Sequence, residues 1–330
     1  MWMNKSRNEL STSEMTDIMK QLRRIGVKRI GWSGGEPLLR EDLPLLIKEA
    51  KSLGFEKINV LTNGLLLSEE KAIELLESGL ERISISLDGW GKAHEIQRGI
   101  KGSFSKMIKA LEILTKLRDT KYHYLDVTVS TTLTRISIPN VPKIIELCDK
   151  LNVTWIPNTF ETVSFQFKGI NKDPLTPLTV DDRRLVHEVF EQLHDLVGRK
   201  PLSPLITHIG LEYAKSYLLG NIKPKIKDEV PCTAGFQSIY IDAYGNVYPG
   251  CWALPPVGNL RRSNLQKIVF SPEYRKRLKV MFKKNCPYCT NSLLVNTWYY
   301  LPSILKELQI RMFDKRGGFP FSWAKLQRRK

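Results

Sequence analysis

Three times in its first 88 residues this chain closes an amphipathic helix on a glycine and at once begins a short apolar strand. Leu22-Arg23-Arg24-Ile25-Gly26-Val27-Lys28-Arg29-Ile30 is echoed by Ala50-Lys51-Ser52-Leu53-Gly54-Phe55-Glu56-Lys57-Ile58 and by Leu75-Leu76-Glu77-Ser78-Gly79-Leu80-Glu81-Arg82-Ile83. Met15, Ile18, Met19, Leu22 and Ile25 recur at helical spacing, and Leu43, Leu46, Ile47, Ala50 and Leu53 repeat it, so each helix has one apolar face to bury. Gly26, Gly54 and Gly79 supply left-handed C-caps. Strands are predicted at Arg29 to Trp32, Lys57 to Leu61 and Arg82 to Leu87. This alternation predicts a parallel sheet built by right-handed crossovers, because a strand can return parallel to its neighbour only through a connection on one face. It continues with a helix from Ser103 to Leu117, a strand from Tyr124 to Leu133, a helix from Pro139 to Leu151 and a strand from Val153 to Ile156. Five strands are predicted before residue 160, and none precedes the helix at Ser13, which leaves the strand at Arg29 with an edge lacking a predicted partner.

The chain divides into a βα unit at residues 1–160, a linker and helical connector at 161–228, a cysteine-bearing module at 229–313 and a basic tail at 314–330. The connector is irregular through Pro174 and Pro177 and then predicts helices at Val180 to Val197 and Thr207 to Leu219. In the module, Ser238 to Asp242 and Asn246 to Tyr248 read as a hairpin turning at Ala243-Tyr244-Gly245. Residues 256–330 hold 17 Lys/Arg against 3 Asp/Glu. Such an end is either a solvated basic tail or a surface for RNA or an anionic membrane. No signal-peptide pattern opens the chain and no apolar run approaches the roughly 20 residues of a membrane span, so a cytoplasmic protein is expected.

Ligands of parallel α/β sheets bind outside the carboxyl ends of the strands. The polar exceptions to the apolar pattern fall there: Ser33-Gly34-Gly35-Glu36-Pro37 after the first strand, Thr62-Asn63-Gly64 after the second, and Ser86-Leu87-Asp88-Gly89 at the end of the third. Singly these are ordinary turns; at equivalent positions of successive units they define one ligand mouth. The double glycine allows close backbone approach, the Glu36 carboxylate can meet a cation, and Pro37 stiffens the exit. Arg98, in His94-Glu95-Ile96-Gln97-Arg98-Gly99, is either a carboxylate clamp or a solvent-facing loop cation.

Five cysteines are present. Cys148 lies on the apolar face of a helix and reads as core. Cys232, Cys251, Cys286 and Cys289 form C-x18-C-x34-C-x2-C, and four thiolates with one close pair suit a tetrahedral zinc or an iron-sulfur cluster equally.

Together these motifs resemble the radical S-adenosylmethionine (SAM) enzymes across residues 7 to about 160. The resemblance implies a partial (β/α)6 TIM-like barrel, here without its first strand, followed by a small α+β cysteine-bearing domain. It implies that Gly34, Gly35, Glu36 and Pro37 hold the methionine ammonium of SAM. Ser86 and Arg98 would meet its carboxylate or ribose, with Thr62, Asn63 and Asp88 as weaker candidates. Pro231-Cys232-Thr233-Ala234-Gly235, the hairpin leading to Cys251, and Cys286-Pro287-Tyr288-Cys289 are similar to the twitch form of the SPASM domain. That likeness implies an auxiliary [4Fe-4S] cluster on Cys232, Cys251, Cys286 and Cys289, with zinc as the alternative. Gly250, inserted between Pro249 and Cys251, departs from the usual Pro-Cys.

One departure is larger. The family ligates its catalytic [4Fe-4S] cluster with CxxxCxxC after its first strand, and this sequence has no cysteine before Cys148. The missing strand and motif fall in the same place, and Trp2 to Leu10 resembles the stretch just past the third cysteine, so a longer form carrying the catalytic cluster is expected. The resemblance then implies reductive SAM cleavage to a 5′-deoxyadenosyl radical for hydrogen abstraction from an unknown substrate, with an electron donor such as ferredoxin or flavodoxin. The alternatives are a SAM-binding inactive paralogue, and a non-catalytic zinc or iron-sulfur protein whose basic end contacts RNA or a membrane.

Overall fold

The computed structural model describes residues 8–159, 180–219 and 234–282, apart from 205, 207 and 253. The first helix, α1 (Thr12–Arg24), starts on a capping box in which the Ser11 side chain accepts from the Glu14 N–H while the Glu14 carboxylate accepts from the Ser11 N–H. The helix–glycine–strand unit then recurs as the sequence predicts. The next elements are β1 (Arg29–Trp32), α2 (Leu43–Ser52), β2 (Lys57–Thr62), α3 (Glu69–Glu77) and β3 (Arg82–Ser86). After them come α4 (Lys92–Arg98), α5 (Ser103–Thr120), β4 (Asp126–Leu133), α6 (Val141–Lys150) and β5 (Thr154–Thr159). Each of the three predicted C-cap glycines takes positive φ, at +87°, +81° and +105°.

The five strands form one sheet in the order β1-β2-β3-β4-β5, with every neighbouring pair parallel. Several boundaries shift by one to three residues: β2 runs to Thr62 rather than Leu61, β3 ends at Ser86 rather than Leu87, α5 runs on to Thr120 and α6 spans Val141–Lys150. The fourth strand begins at Asp126 rather than Tyr124, and the fifth runs to Thr159 rather than Ile156, because β5 stays in register with β4 from Thr128↔Thr154 to Leu133↔Thr159. The short helix α4 stands where the sequence reading assigns no element.

The sheet is two-faced. Ile58, Val60, Ile83, Ile85, Val127, Val129 and Trp155 alternate toward the helices and are at most 3% exposed. Each such side chain contributes about 1.5–3 kcal/mol by leaving water. The opposite face is polar: Asn59, Arg82 and Asp126 share one row, Ser84, Thr128 and Thr154 the next, Ser86 and Ser130 a third, and Thr132 and Asn158 the last. Parallel strands are usually apolar on both faces. Here only Leu61 and Ile156 interrupt the polar rows on β2–β5.

Helices α7 (Val180–Asp195) and α8 (His208–Leu218) lie beyond β5 in sequence, and the chain between them covers the β5 edge: Trp155 N–H donates to Pro201 O at 2.6 Å and Ser203 N–H to Trp155 O at 2.8 Å. The C-terminal part contains α9 (Ala234–Gln237), β6 (Tyr240–Ile241), β7 (Asn246–Tyr248), β8 (Gly258–Asn259), α10 (Leu265–Val269) and α11 (Pro272–Phe282), with the three strands antiparallel. Asp242 Oδ1 accepts from the Tyr244 and Asn246 N–H groups and so sets the predicted hairpin turn. Val247, Leu265, Ile268 and Tyr274 belong to the same core as the sheet, whereas Ala234, Leu254 and Met281 form a separate small cluster that Cys251 touches. Among the described residues no helix is long and apolar enough to cross a membrane.

Candidate functional site

The carboxyl ends of β1, β2 and β3 bring the three predicted loops together. Glu36 joins the first two. Its Oε1 accepts from Thr62 Oγ1 at 2.6 Å and from the Leu38 N–H at 3.1 Å, and its Oε2 accepts from the Asn63 N–H at 2.8 Å. Glu36 also N-caps the 3-10 turn Pro37–Leu39. Thr62 passes the connection on, accepting from the Gly64 N–H, and Asn63 Oδ1 closes the turn by accepting from the Leu65 N–H. An ionised carboxylate has about four lone-pair sites, so three donors leave Glu36 one acceptor site, on Oε2. Thr62 is 2% exposed and acts on the mouth through Glu36; Gly34 is exposed, with φ at +111° and nothing within 4 Å of where a Cβ would stand.

A second buried carboxylate organises the third loop. Asp88 is 3% exposed; its Oδ1 accepts from the Thr132 N–H at 2.7 Å, and its Oδ2 lies 2.6 Å from Arg98 Nε. That nitrogen is buried and off the line its N–H needs for a hydrogen bond, so the contact is a charge pair more than a directed bond. Burial pushes the Asp88 carboxyl up, against the pull of Arg98 and the Thr132 N–H. Arg98 keeps its outer N–H groups without another partner among the described residues, and its side chain is 31% exposed. Asp88 thus serves as the anchor and Arg98 as the group presented. Ser86 stands on the polar face, level with Ser130, whose Oγ accepts from Asn158 Nδ2 at 2.9 Å.

His94 is a site residue that the sequence motif contained but did not single out. It is 1% exposed, and its Nδ1 accepts from the Asp88 N–H at 3.1 Å, which puts its proton on Nε2. Burial and then the Arg98 charge hold its pKa at about 4. Gly89 lets α4 approach this closely: a Cβ there would stand 2.9 Å from His94 N and 3.0 Å from Ala93. The usable signal was the i, i+4 spacing of His94 and Arg98, which sets both on one helical face.

Of the four clustered cysteines, Cys232, Cys286 and Cys289 lie outside the described residues, as does the tail at 314–330. Among the described residues no three His, Cys, Asp or Glu side chains gather as metal ligands. Cys251 is partly exposed on the small Ala234–Leu254–Met281 cluster. The inserted Gly250 has a steric reason: at φ +61°, a Cβ would stand 2.3 Å from Ala234 O. Only glycine lets the residue before Cys251 lie against the backbone two residues beyond Cys232 in sequence. Cys148 is fully buried in α6, and desolvation pushes its thiol far up, as a core residue requires.

A parallel, two-faced sheet with its polar loops at one mouth, joined to a small antiparallel cysteine-bearing unit, is an α/β radical SAM-type architecture. Residues 2–125 match the radical SAM superfamily, and residues 232–291 match SPASM, an iron-sulfur cluster-binding domain. Solved structures share the fold at low identity. Native anSMEcpe with bound AdoMet superposes with a TM-score of 0.60 at 18% identity, over 88% of this chain and 81% of that one. Native anSMEcpe with AdoMet and Kp18Cys peptide gives 0.58 at 17%, over 87% and 80%. Streptococcus suis SuiB bound to precursor peptide SuiA gives 0.60 at 18%, over 89% and 66%.

Proposed function

We propose that the chain binds SAM at the carboxyl ends of β1–β3, as a radical SAM enzyme whose substrate lies over the polar face of the sheet. The observation that carries this reading is the pairing of two fixed charges at neighbouring strand ends. Glu36 is held between the β1 and β2 loops with one acceptor site left, and Arg98 is held by buried Asp88 with its outer donors left. That pattern fits the zwitterionic methionine end of SAM: the ammonium meets Glu36 and the Gly34-Gly35 backbone, and the carboxylate meets the guanidinium fork. Ser86, at the carboxyl end of β3, would meet the ribose. Neutral His94 fixes the Asp88 backbone by accepting its N–H on Nδ1.

When bound, a reduced [4Fe-4S] cluster supplies the electron that splits SAM and so allows hydrogen abstraction from a substrate. These 330 residues contain no cysteine ahead of Cys148, itself a core residue, so they supply no ligand set for that cluster. For Cys232, Cys251, Cys286 and Cys289 the donor set does fit: four thiolates suit an auxiliary [4Fe-4S] cluster.

Equilibrium dialysis with labelled SAM tests the mouth. The chain is expected to bind SAM, and Glu36→Gln and Arg98→Met each to weaken binding about 10-fold or more, as loss of a charge-assisted contact implies. No binding, or binding indifferent to both variants, sinks the assignment. Iron and sulfide analysis after anaerobic reconstitution tests the cysteines: a filled cluster supports the reading, whereas zinc with no iron overturns it.

A further inference from the structure

The segment leading into α1 is gripped from two sides, and one grip comes from the C-terminal unit. Arg261, between β8 and α10, spends all five of its N–H donors on it. Nε donates to Glu14 Oε1 at 2.6 Å; Nη1 donates to Asn8 O and Asn8 Oδ1, each at 2.9 Å; Nη2 donates to Glu9 O at 3.0 Å and to Glu14 Oε2 at 3.1 Å. The Leu10 N–H donates to Ala243 O in the hairpin turn at 2.7 Å, and the Leu265 N–H donates to Gln21 Oε1 at 2.7 Å. The other grip comes from the chain just past the Gly34–Pro37 loop. Arg40 donates to Leu10 O at 3.1 Å and pairs with Asp42, which accepts from Thr12 Oγ1 at 2.6 Å. Arg40 in turn closes the 3-10 turn that Glu36 caps, its N–H donating to Pro37 O.

The geometry points to Arg261 as a positioning residue for the SAM mouth, acting through residues 8–14 and Arg40 on the Glu36 loop. It touches no ligand itself. Four of its five acceptors are fixed in direction by backbone or by the Glu14 capping box, so the planar fork sets where the segment lies, which a lysine ammonium cannot reproduce. The Arg261 hydrogen bond, then the Ser11 N–H, holds the Glu14 carboxyl at about 2, and the pair stays ionised across the working pH range.

The inference rests on the SAM reading for its affinity arm and not for its exchange arm. Arg261→Met, Arg261→Lys, Arg40→Met and the Arg261→Met/Arg40→Met double variant are compared by SAM dialysis and amide hydrogen exchange. Arg261→Met is expected to weaken SAM about 5- to 10-fold, with Arg261→Lys little better. The double variant should be no weaker than the worse single one, since both residues act through the same segment. Amides of 8–14 and of 33–40 should exchange faster together. Faster exchange confined to 8–14 with unchanged SAM affinity marks a plain inter-domain staple and overturns the assignment, as do multiplying effects in the double variant. If the parent chain binds no SAM, the ligand reading fails, and the exchange arm alone decides whether the grip reaches residues 33–40.

Discussion

The two halves of the C-terminal unit are built on different physics although they adjoin in the chain. The hairpin half, β6 to β8 with α10, has strands of two or three residues, too short to persist alone. It persists because Val247, Leu265 and Ile268 are continuous with the core of the parallel sheet and because Arg261 and Leu10 fasten it to α1. Among the described residues, the cysteine half has Ala234, Leu254 and Met281 as its own buried cluster. Three apolar side chains at about 1.5–3 kcal/mol each do not offset the ordering of the residues around them, at roughly 1–2 kcal/mol per residue. On the proposed reading, a four-thiolate metal site would supply the remaining stabilisation.

The largest effect expected therefore separates these halves. Metal binding in small thiolate domains is worth about 10–16 kcal/mol, so chelator stripping should abolish amide protection at Ala234–Gln237 and around Cys251. Asn246–Tyr248 and Leu265–Val269 should keep theirs, held by the sheet's core. Uniform loss across both halves, read by hydrogen exchange, breaks the distinction. Next in size is a cavity in the sheet domain. Leu46 of α2 is fully buried, and Leu46→Ala should cost about 3 kcal/mol in denaturant unfolding, equally with and without metal. A metal-dependent cost would mean that the two parts do not separate.

The same contrast explains what could be read without a structure. The βα units were legible because Met15, Ile18, Met19 and Leu22 write a helical period and Gly26, Gly54 and Gly79 write its end, both local signals. The polar sheet face was written too, in Asn59, Ser84, Ser86, Thr128 and Ser130, but aligning them needs the register between strands up to 44 residues apart, which no local pattern states. Helix α4 escaped because seven residues between two glycines do not complete two turns. At the mouth, the family resemblance put Glu36 and Arg98 forward as ligand contacts and ranked Thr62 and Asp88 as weaker ones, without a physical reason for the difference. Burial divides them: Thr62 and Asp88 hold others in place, and Glu36 and Arg98 retain sites to offer. The Arg261 grip spans 247 residues to Glu14, beyond any periodic signal.

The smallest expected effect sharpens the line between the apolar core and the polar mouth of the sheet domain itself. His94 is neutral in the fold because burial, then Arg98, depresses its pKa from 6.5 to about 4. Between those values the unfolded chain binds the extra proton, so stability rises with pH across about 4 to 6.5 and the contribution is lost as pH falls through that window. Solvent near the mouth discounts the full linkage, leaving about 2 kcal/mol between pH 6.5 and 4. In His94→Asn the amide oxygen can accept the Asp88 N–H in place of Nδ1 without titrating. The variant should therefore lie close to the parent at pH 7 and lose this part of the acid slope, measured by urea unfolding across the window. Asp88 runs the other way, since its raised carboxyl makes ionisation in the fold costly as pH climbs above the ordinary range. Only the His94 slope vanishes in His94→Asn, so the difference between variant and parent isolates it from that of Asp88. An unchanged acid slope in that variant would place the titrating groups elsewhere, and the mouth would then be no more sensitive to acid than the core beneath it.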